Sequence, residues 1–202
     1  MKLLEIKEEL ITKGALLGMP ALFFCFGEKE GGGFEMSVEE LLKTAEKSVM
    51  RYMVLTGELS SQKEDLTILA EGIKNLFRRV VVESDGAEYI DLEADLFSLD
   101  LNSRVSQGRR SWPAETIERY LSGGKELELR IYVEDEIDLR ETLIALSNHV
   151  IPRKNIFLVP TGATFGDYLE NLSFLSKECL KYSFRLGERL DHTLAKAEEE
   201  AE

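Results

Sequence analysis

Short apolar runs alternate with longer amphipathic ones along the whole chain. Gly18-Met19-Pro20-Ala21-Leu22-Phe23-Phe24-Cys25-Phe26-Gly27 reads as a turn followed by a buried strand. The same reading predicts strands near 3–7, 21–26, 51–55, 79–83, 95–99, 127–132, 155–159 and 182–186. Helices are predicted near 38–49, 61–77, 113–121, 136–149, 165–180 and 188–200. Ser37-Val38-Glu39-Glu40 and Ser61-Gln62-Lys63-Glu64 have the form of capping boxes, and Thr164 with Asp167 marks a third helix start. Pro113 opens a helix and Ser122-Gly123-Gly124 stops one.

Strand and helix alternating in this way predict an α/β fold, a mostly parallel sheet with crossover helices. The 202 residues fall short of the roughly 250 typical of eight closed βα units, so the expected architecture is a partial, open β/α barrel. One domain is expected over residues 1–194. The acidic end at 195–202 is either a fraying helix or a solvated tail. Sites in such sheets lie beyond the carboxyl ends of the strands. The segments 27–35, 56–60, 84–87, 100–104 and 160–165 should therefore gather on one rim.

Composition narrows the partners. A formal charge of −13 argues against nucleic acid, whose binding rests on a cationic surface, and Arg78-Arg79 and Arg109-Arg110 are too small to reverse it. No apolar run approaches the roughly 20 residues of a membrane span, and the charged N-terminal segment lacks the pattern of a signal peptide. A cytoplasmic protein without membrane contact is the expectation. Cys25 and Cys179 lie far apart in sequence and outside any metal-ligand spacing, so both read as buried free thiols.

The order of several segments resembles the radical S-adenosylmethionine (SAM) superfamily, in particular its 7-carboxy-7-deazaguanine synthase branch, also called organic radical activating enzymes. The resemblance rests on residues 21–26 leading to a helix at Ser37, on Met53-Val54-Leu55-Thr56-Gly57-Glu58, and on Val80-Val81-Val82-Glu83-Ser84-Asp85-Gly86. It extends through Asp95-Leu96-Phe97-Ser98-Leu99-Asp100, Glu128-Leu129-Arg130-Ile131-Tyr132-Val133 and Asn155-Ile156-Phe157-Leu158-Val159-Pro160-Thr161-Gly162. Arg185-Leu186 and Arg189-Leu190 resemble the family's closing segment.

Such a resemblance implies a three-cysteine loop after the strand at 21–26, holding a [4Fe–4S] cluster whose open iron chelates SAM. Here Gly27-Glu28-Lys29-Glu30-Gly31-Gly32-Gly33-Phe34-Glu35-Met36 contains no cysteine, and its glutamates are hard ligands unsuited to such a cluster. Residues 28–33 read as a solvated connector. The family's Thr-Gly-Gly-Glu-Pro turn appears shortened as Thr56-Gly57-Glu58, and the expected substrate-contacting carboxylate gives way to Thr12-Lys13-Gly14. The reading is a degenerate site, without a bound cluster and with at most weak SAM binding.

Carried over residue by residue, the resemblance nominates Thr56, Gly57, Glu58, Ser84, Asp85 and Asp100 as cofactor-binding positions. Each has a plainer alternative: Glu58 and Ser84-Asp85-Gly86 as turns, Asp100 with Asn102, Ser103 and Arg104 as a surface loop. Thr161-Gly162-Ala163-Thr164 offers backbone N–H groups to an anion. His149 reads as a cap or surface group and His192 as part of a polar terminal helix, neither at metal or triad spacing. Leu169, Leu172, Phe174, Leu175 and Leu180 read as core, or as an interface.

Three functions remain open. One is a scaffold unable to perform radical chemistry, with a cleft for a small nucleoside-like or anionic ligand. Another is a related enzyme using non-radical chemistry or a cluster shared across a homodimer. The third is a regulatory subunit for a protein partner.

Overall fold

The computed structural model describes residues 1–27, 32–102 and 112–201. Nine strands form a single sheet in the order β3-β1-β2-β4-β5-β6-β7-β8-β9. These are β1 (Lys2–Leu10), β2 (Pro20–Phe26), β3 (Phe34–Glu35), β4 (Tyr52–Gly57), β5 (Arg79–Ser84), β6 (Leu96–Asn102), β7 (Leu127–Val133), β8 (Ile156–Pro160) and β9 (Arg185–Leu186). From β2 to β9 every neighbouring pair is parallel, whereas β1 runs antiparallel to both β2 and β3. The sheet is open, its edges being β3 and β9. Each predicted strand has a counterpart, although the one expected at 182–186 is reduced to Arg185–Leu186 because α5 runs through Tyr182, and β3 is an addition too short to leave a pattern in sequence.

Six helices alternate with the strands: α1 (Val38–Lys47), α2 (Lys63–Asn75), α3 (Ala114–Ser122), α4 (Glu136–Ser147), α5 (Phe165–Tyr182) and α6 (Leu190–Ala201). Two of the three expected N-terminal boxes close. Ser37 accepts from Glu40 N–H while Glu40 bonds back to Ser37 N–H, and Thr164 and Asp167 exchange the same pair. The box expected at Ser61 does not form. A turn of 3₁₀-helix occupies residues 60–62, the Ser61 hydroxyl donates to Glu58 O, and α2 begins after Gln62 without a side-chain cap. The acidic end is helical to Ala201.

Side chains alternate across the sheet as strand geometry requires. One set of positions, including Leu22, Phe24, Met53, Leu55, Val80, Val82, Phe97, Leu99, Leu129, Ile131 and Leu158, packs with helix residues Leu41, Leu66, Leu69, Ile73, Ile117 and Leu175. The opposite, inner face has a smaller apolar cluster of Ile11, Ala21, Phe23, Val54, Val81 and Leu96. On α5 the expectation of a core stripe holds for Leu175 and partly for Phe174, but Leu169 and Leu180 are exposed. Cys179 is buried, and burial pushes its thiol up to about 11; Cys25, expected to be buried, is partly exposed. No helix among the described residues is long and apolar enough to cross a membrane.

Candidate functional site

β7 sets the site. Its residues Leu127, Leu129, Ile131 and Val133 enter the main core, which sends Glu128, Arg130 and Tyr132 to the inner face. Parallel register then places Thr56 beside Glu83, Glu83 beside Ser98, Ser98 beside Glu128, and Asp100 beside Arg130. Polar side chains from four adjacent strands thus stand in rows on a face that is apolar further toward β2.

Arg130 is fully buried and answers two carboxylates. Its guanidinium donates to Glu83 Oε1 at 2.6 Å and to Asp100 Oδ2 at 3.1 Å. Its Nε also lies 2.9 Å from Asp100 Oδ1, a charge contact that lacks hydrogen-bond alignment, since that N–H has no bonded partner. Burial opposes the charge, but Glu83 and Asp100 outweigh it and raise the guanidinium pKa. A buried arginine with a single carboxylate would carry uncompensated desolvation, so the pair of acids is what keeps this cation inside.

The loop between β1 and β2 completes the group. Lys13 Nζ donates to Asp100 Oδ2 at 3.1 Å and to Tyr132 Oη at 2.8 Å, while Tyr132 donates to Asp100 Oδ1 at 3.0 Å. Burial disfavours the Lys13 ammonium, yet the Asp100 carboxylate prevails and its pKa is raised. One residue beyond Gly14, Ala15 N–H donates to Glu128 Oε2 at 2.8 Å, and Ser98 Oγ donates to Glu128 Oε1 at 2.7 Å. Desolvation raises the Glu128 pKa against these contacts. Gly14 has φ +79°, and a Cβ there would stand 2.2 Å from Glu128 Oε1, so loop and carboxylate fit only around glycine.

Above these charges the carboxyl ends of β4, β5 and β6 open into a cleft of about 630 Å³. Thr56, Gly57, Glu58, Ser84, Asp85 and Asp100, the six nominated positions, all line it, together with Ser60, Ser61, Glu83, Glu88 and Ile90. Their local roles differ. Gly57 has φ +95° and passes so close to Phe26 O that a Cβ would lie 2.1 Å from it, and Glu58 N–H donates to the same oxygen at 2.9 Å. Ser84 Oγ accepts from Gly86 N–H and Asp85 Oδ1 from Ala87 N–H, so both side chains also shape their own turn.

Other expectations fall elsewhere. Residues 28–31 of the connector expected over 28–33, and the residues Ser103, Arg104, Arg109 and Arg110, lie outside the described residues. Thr161, Gly162, Ala163 and Thr164 do not line the cleft, and the α5 N-terminus is already occupied by Asp167, whose carboxylate accepts from Thr164 N–H. His149 Nδ1 stands 3.1 Å from Glu118 Oε1, and the His192 ring packs on Tyr168. Among the described residues no three His, Cys, Asp or Glu side chains converge to hold a metal ion. Cys25 sits on β2 beside the inner apolar cluster and Cys179 on α5 in the helix-covered core, so the two thiols lie on opposite faces of the sheet. Two thiols so placed do not make the three-cysteine set of the implied cluster.

Sequence reasoning missed Lys13, Glu83, Ser98, Glu128, Arg130 and Tyr132 as site residues. The signal was present in Leu127-Glu128-Leu129-Arg130-Ile131-Tyr132-Val133, where polar residues hold every second position of a run whose partners are all core residues.

The fold is shared with a solved protein. The crystal structure of QueE from Escherichia coli superposes with a TM-score of 0.74 over 93% of each chain, at 15% sequence identity. The chain accordingly has an open α/β fold like that of QueE, with a mostly parallel sheet, and at this identity the likeness concerns the fold alone. No protein family and no curated protein matches the sequence.

Proposed function

We propose that this chain is a radical SAM-like scaffold that carries no [4Fe–4S] cluster of its own and holds a small nucleoside-like ligand in the cleft at the strand ends. The observation that carries this reading is the convergence of Thr56, Gly57, Glu58, Ser84, Asp85 and Asp100 from three strand ends on one cleft. Its volume falls in the range of small-molecule sites, roughly 300–1,000 Å³. Carboxylates from Glu58, Glu83, Asp85, Glu88 and Asp100 dominate the charged lining, and hydroxyls from Thr56, Ser60, Ser61 and Ser84 stand among them. That chemistry suits a ligand bearing hydroxyls and positive charge, and disfavours an anionic one. SAM meets the requirement but binds weakly, because nothing in the chain supplies the cluster iron that would chelate its amino acid portion.

The test is calorimetry with SAM and adenosine against the wild-type chain and Glu58→Gln, alongside iron and sulfide content after anaerobic reconstitution. Expected are weak, saturable binding reduced several-fold in Glu58→Gln, and no stoichiometric iron. Stoichiometric iron and sulfide, or no binding by either ligand, would overturn the reading. A second reading, a regulatory subunit or homodimer, is favoured by apolar side chains open to solvent on α4 and α5: Ile137, Ile144, Leu169 and Leu180. Sedimentation of the purified chain, which should give a dimer mass, tests its homodimer form.

A further inference from the structure

Asp100 lines the cleft, and its carboxylate already accepts three hydrogen bonds. Oδ1 receives Tyr132 Oη and faces Arg130 Nε, and Oδ2 receives Arg130 and Lys13. Of these contacts, those from Arg130 and Tyr132 belong to β7, are fixed by the register that pairs Asp100 with Arg130, and in the case of Arg130 come from a side chain only 1% exposed. The Lys13 contact is different. It is made from the loop between β1 and β2, through a flexible side chain that is 23% exposed. Nor is Lys13 needed to keep the loop in place, since Glu128 holds Ala15 N–H and Leu190 N–H donates to Thr12 O. Arg130 stays on Asp100 throughout, and a ligand ammonium would restore the positive charge that Lys13 takes away, so the Lys13 contact is the one that can be exchanged. A ligand cation that reaches Asp100 therefore competes with Lys13 for the carboxylate.

We propose that Lys13 is a tethered stand-in for the ligand's cationic group, displaced from Asp100 when an ammonium-bearing nucleoside enters the cleft. This rests on the cleft reading above and adds the charge of the ligand and the place where that charge docks. Displacement leaves Asp100 with a cation at every stage, while Lys13 turns its ammonium to water. It follows that the free chain discriminates against neutral nucleosides less than against cations too weak to compete with the tethered lysine.

Two nucleosides that differ only in the 5′ substituent, an ammonium against a hydroxyl, test the idea: 5′-amino-5′-deoxyadenosine and adenosine, titrated at pH 7 into wild type, Lys13→Met and Asp100→Asn. With the tethered competitor gone, Lys13→Met should bind the amine roughly tenfold more tightly than wild type, the size of one charge-assisted hydrogen bond. Adenosine affinity should stay within about twofold, since it offers no charge to that position, and Asp100→Asn should bind the amine no better than adenosine. Unchanged or weaker amine binding in Lys13→Met overturns the proposal. If adenosine still binds in that case, the cleft reading survives alone, whereas absence of binding by both nucleosides to every protein ends both. Should Lys13→Met fail to fold, the Lys13 Cε–Hε NMR signals of the wild-type protein report the same event. They should move toward solvent-exposed lysine values on adding the amine and stay in place with adenosine; immobility with bound amine overturns the proposal.

Discussion

The two faces of β7 put opposite chemistry on one strand. Toward the helices it presents Leu127, Leu129, Ile131 and Val133, which belong to the main apolar core. Toward the interior it presents Glu128, Arg130 and Tyr132, also largely withdrawn from water but dependent on named partners from β5, β6 and the loop after β1. Apolar burial is tolerant, because any well-packed neighbour will serve. Charge burial is not: each group holds its place only while its partners do. The helix-covered face therefore determines that the chain folds, and the inner face determines what the fold is able to hold.

Substitution on each face should expose that contrast. The largest effect is expected for Arg130→Met, which leaves Glu83 and Asp100 facing each other without their shared cation and should cost about 3–5 kcal/mol, measured by urea unfolding. Leu129→Ala, on the opposite face one residue away, should cost about 3 kcal/mol through the cavity it leaves. If Leu129→Ala proves the more damaging, the charged face is less tightly built than its geometry indicates.

A subtler difference is expected in pH dependence. The Glu128 pKa is raised in the folded state, so folding favours its protonated form. Its contribution is then greatest below the ordinary carboxylate pKa and is lost as pH rises through the raised folded value. Glu128→Gln, which can still bond Ser98 and Ala15, should remove that downward slope; identical pH–stability curves for the two proteins would contradict the assignment. The smallest effect separates two serines with the same sequence signature. Ser37→Ala should cost about 1 kcal/mol of stability as a lost cap, and Ser61→Ala less than about 0.5 kcal/mol as a surface change, both read from thermal unfolding.

That last pair shows how far sequence reasoning reaches. Strand and helix positions were legible because they depend on local periodicity, and the partial barrel followed from their alternation and number. The capping box at Ser61 misled because the turn after Gly57 folds back on Phe26 O and draws residues 60–62 into a tighter helical turn. The rim positions, nominated through the resemblance, do line one cleft at the strand ends. Lys13 and Glu83 carry no mark in the sequence, since their meaning depends on contacts with residues 47 to 119 positions away in the chain. Exposed Leu169 and Leu180 likewise share the spacing of core residues without sharing their surroundings.

The loop between β1 and β2 also has a mechanical consequence. It leaves the sheet near one edge, meets β6 and β7 through Lys13 and Ala15, and reaches the far side where Leu190 donates to Thr12. An open barrel is an arc, and a segment tied at its middle and at its far end is the chord of that arc. A chord of fixed length should hold the arc's curvature, and with it the width of the cleft. A residue inserted between Thr12 and Ala15 would slacken it and let the arc flatten, while the strand pairing stayed as it is.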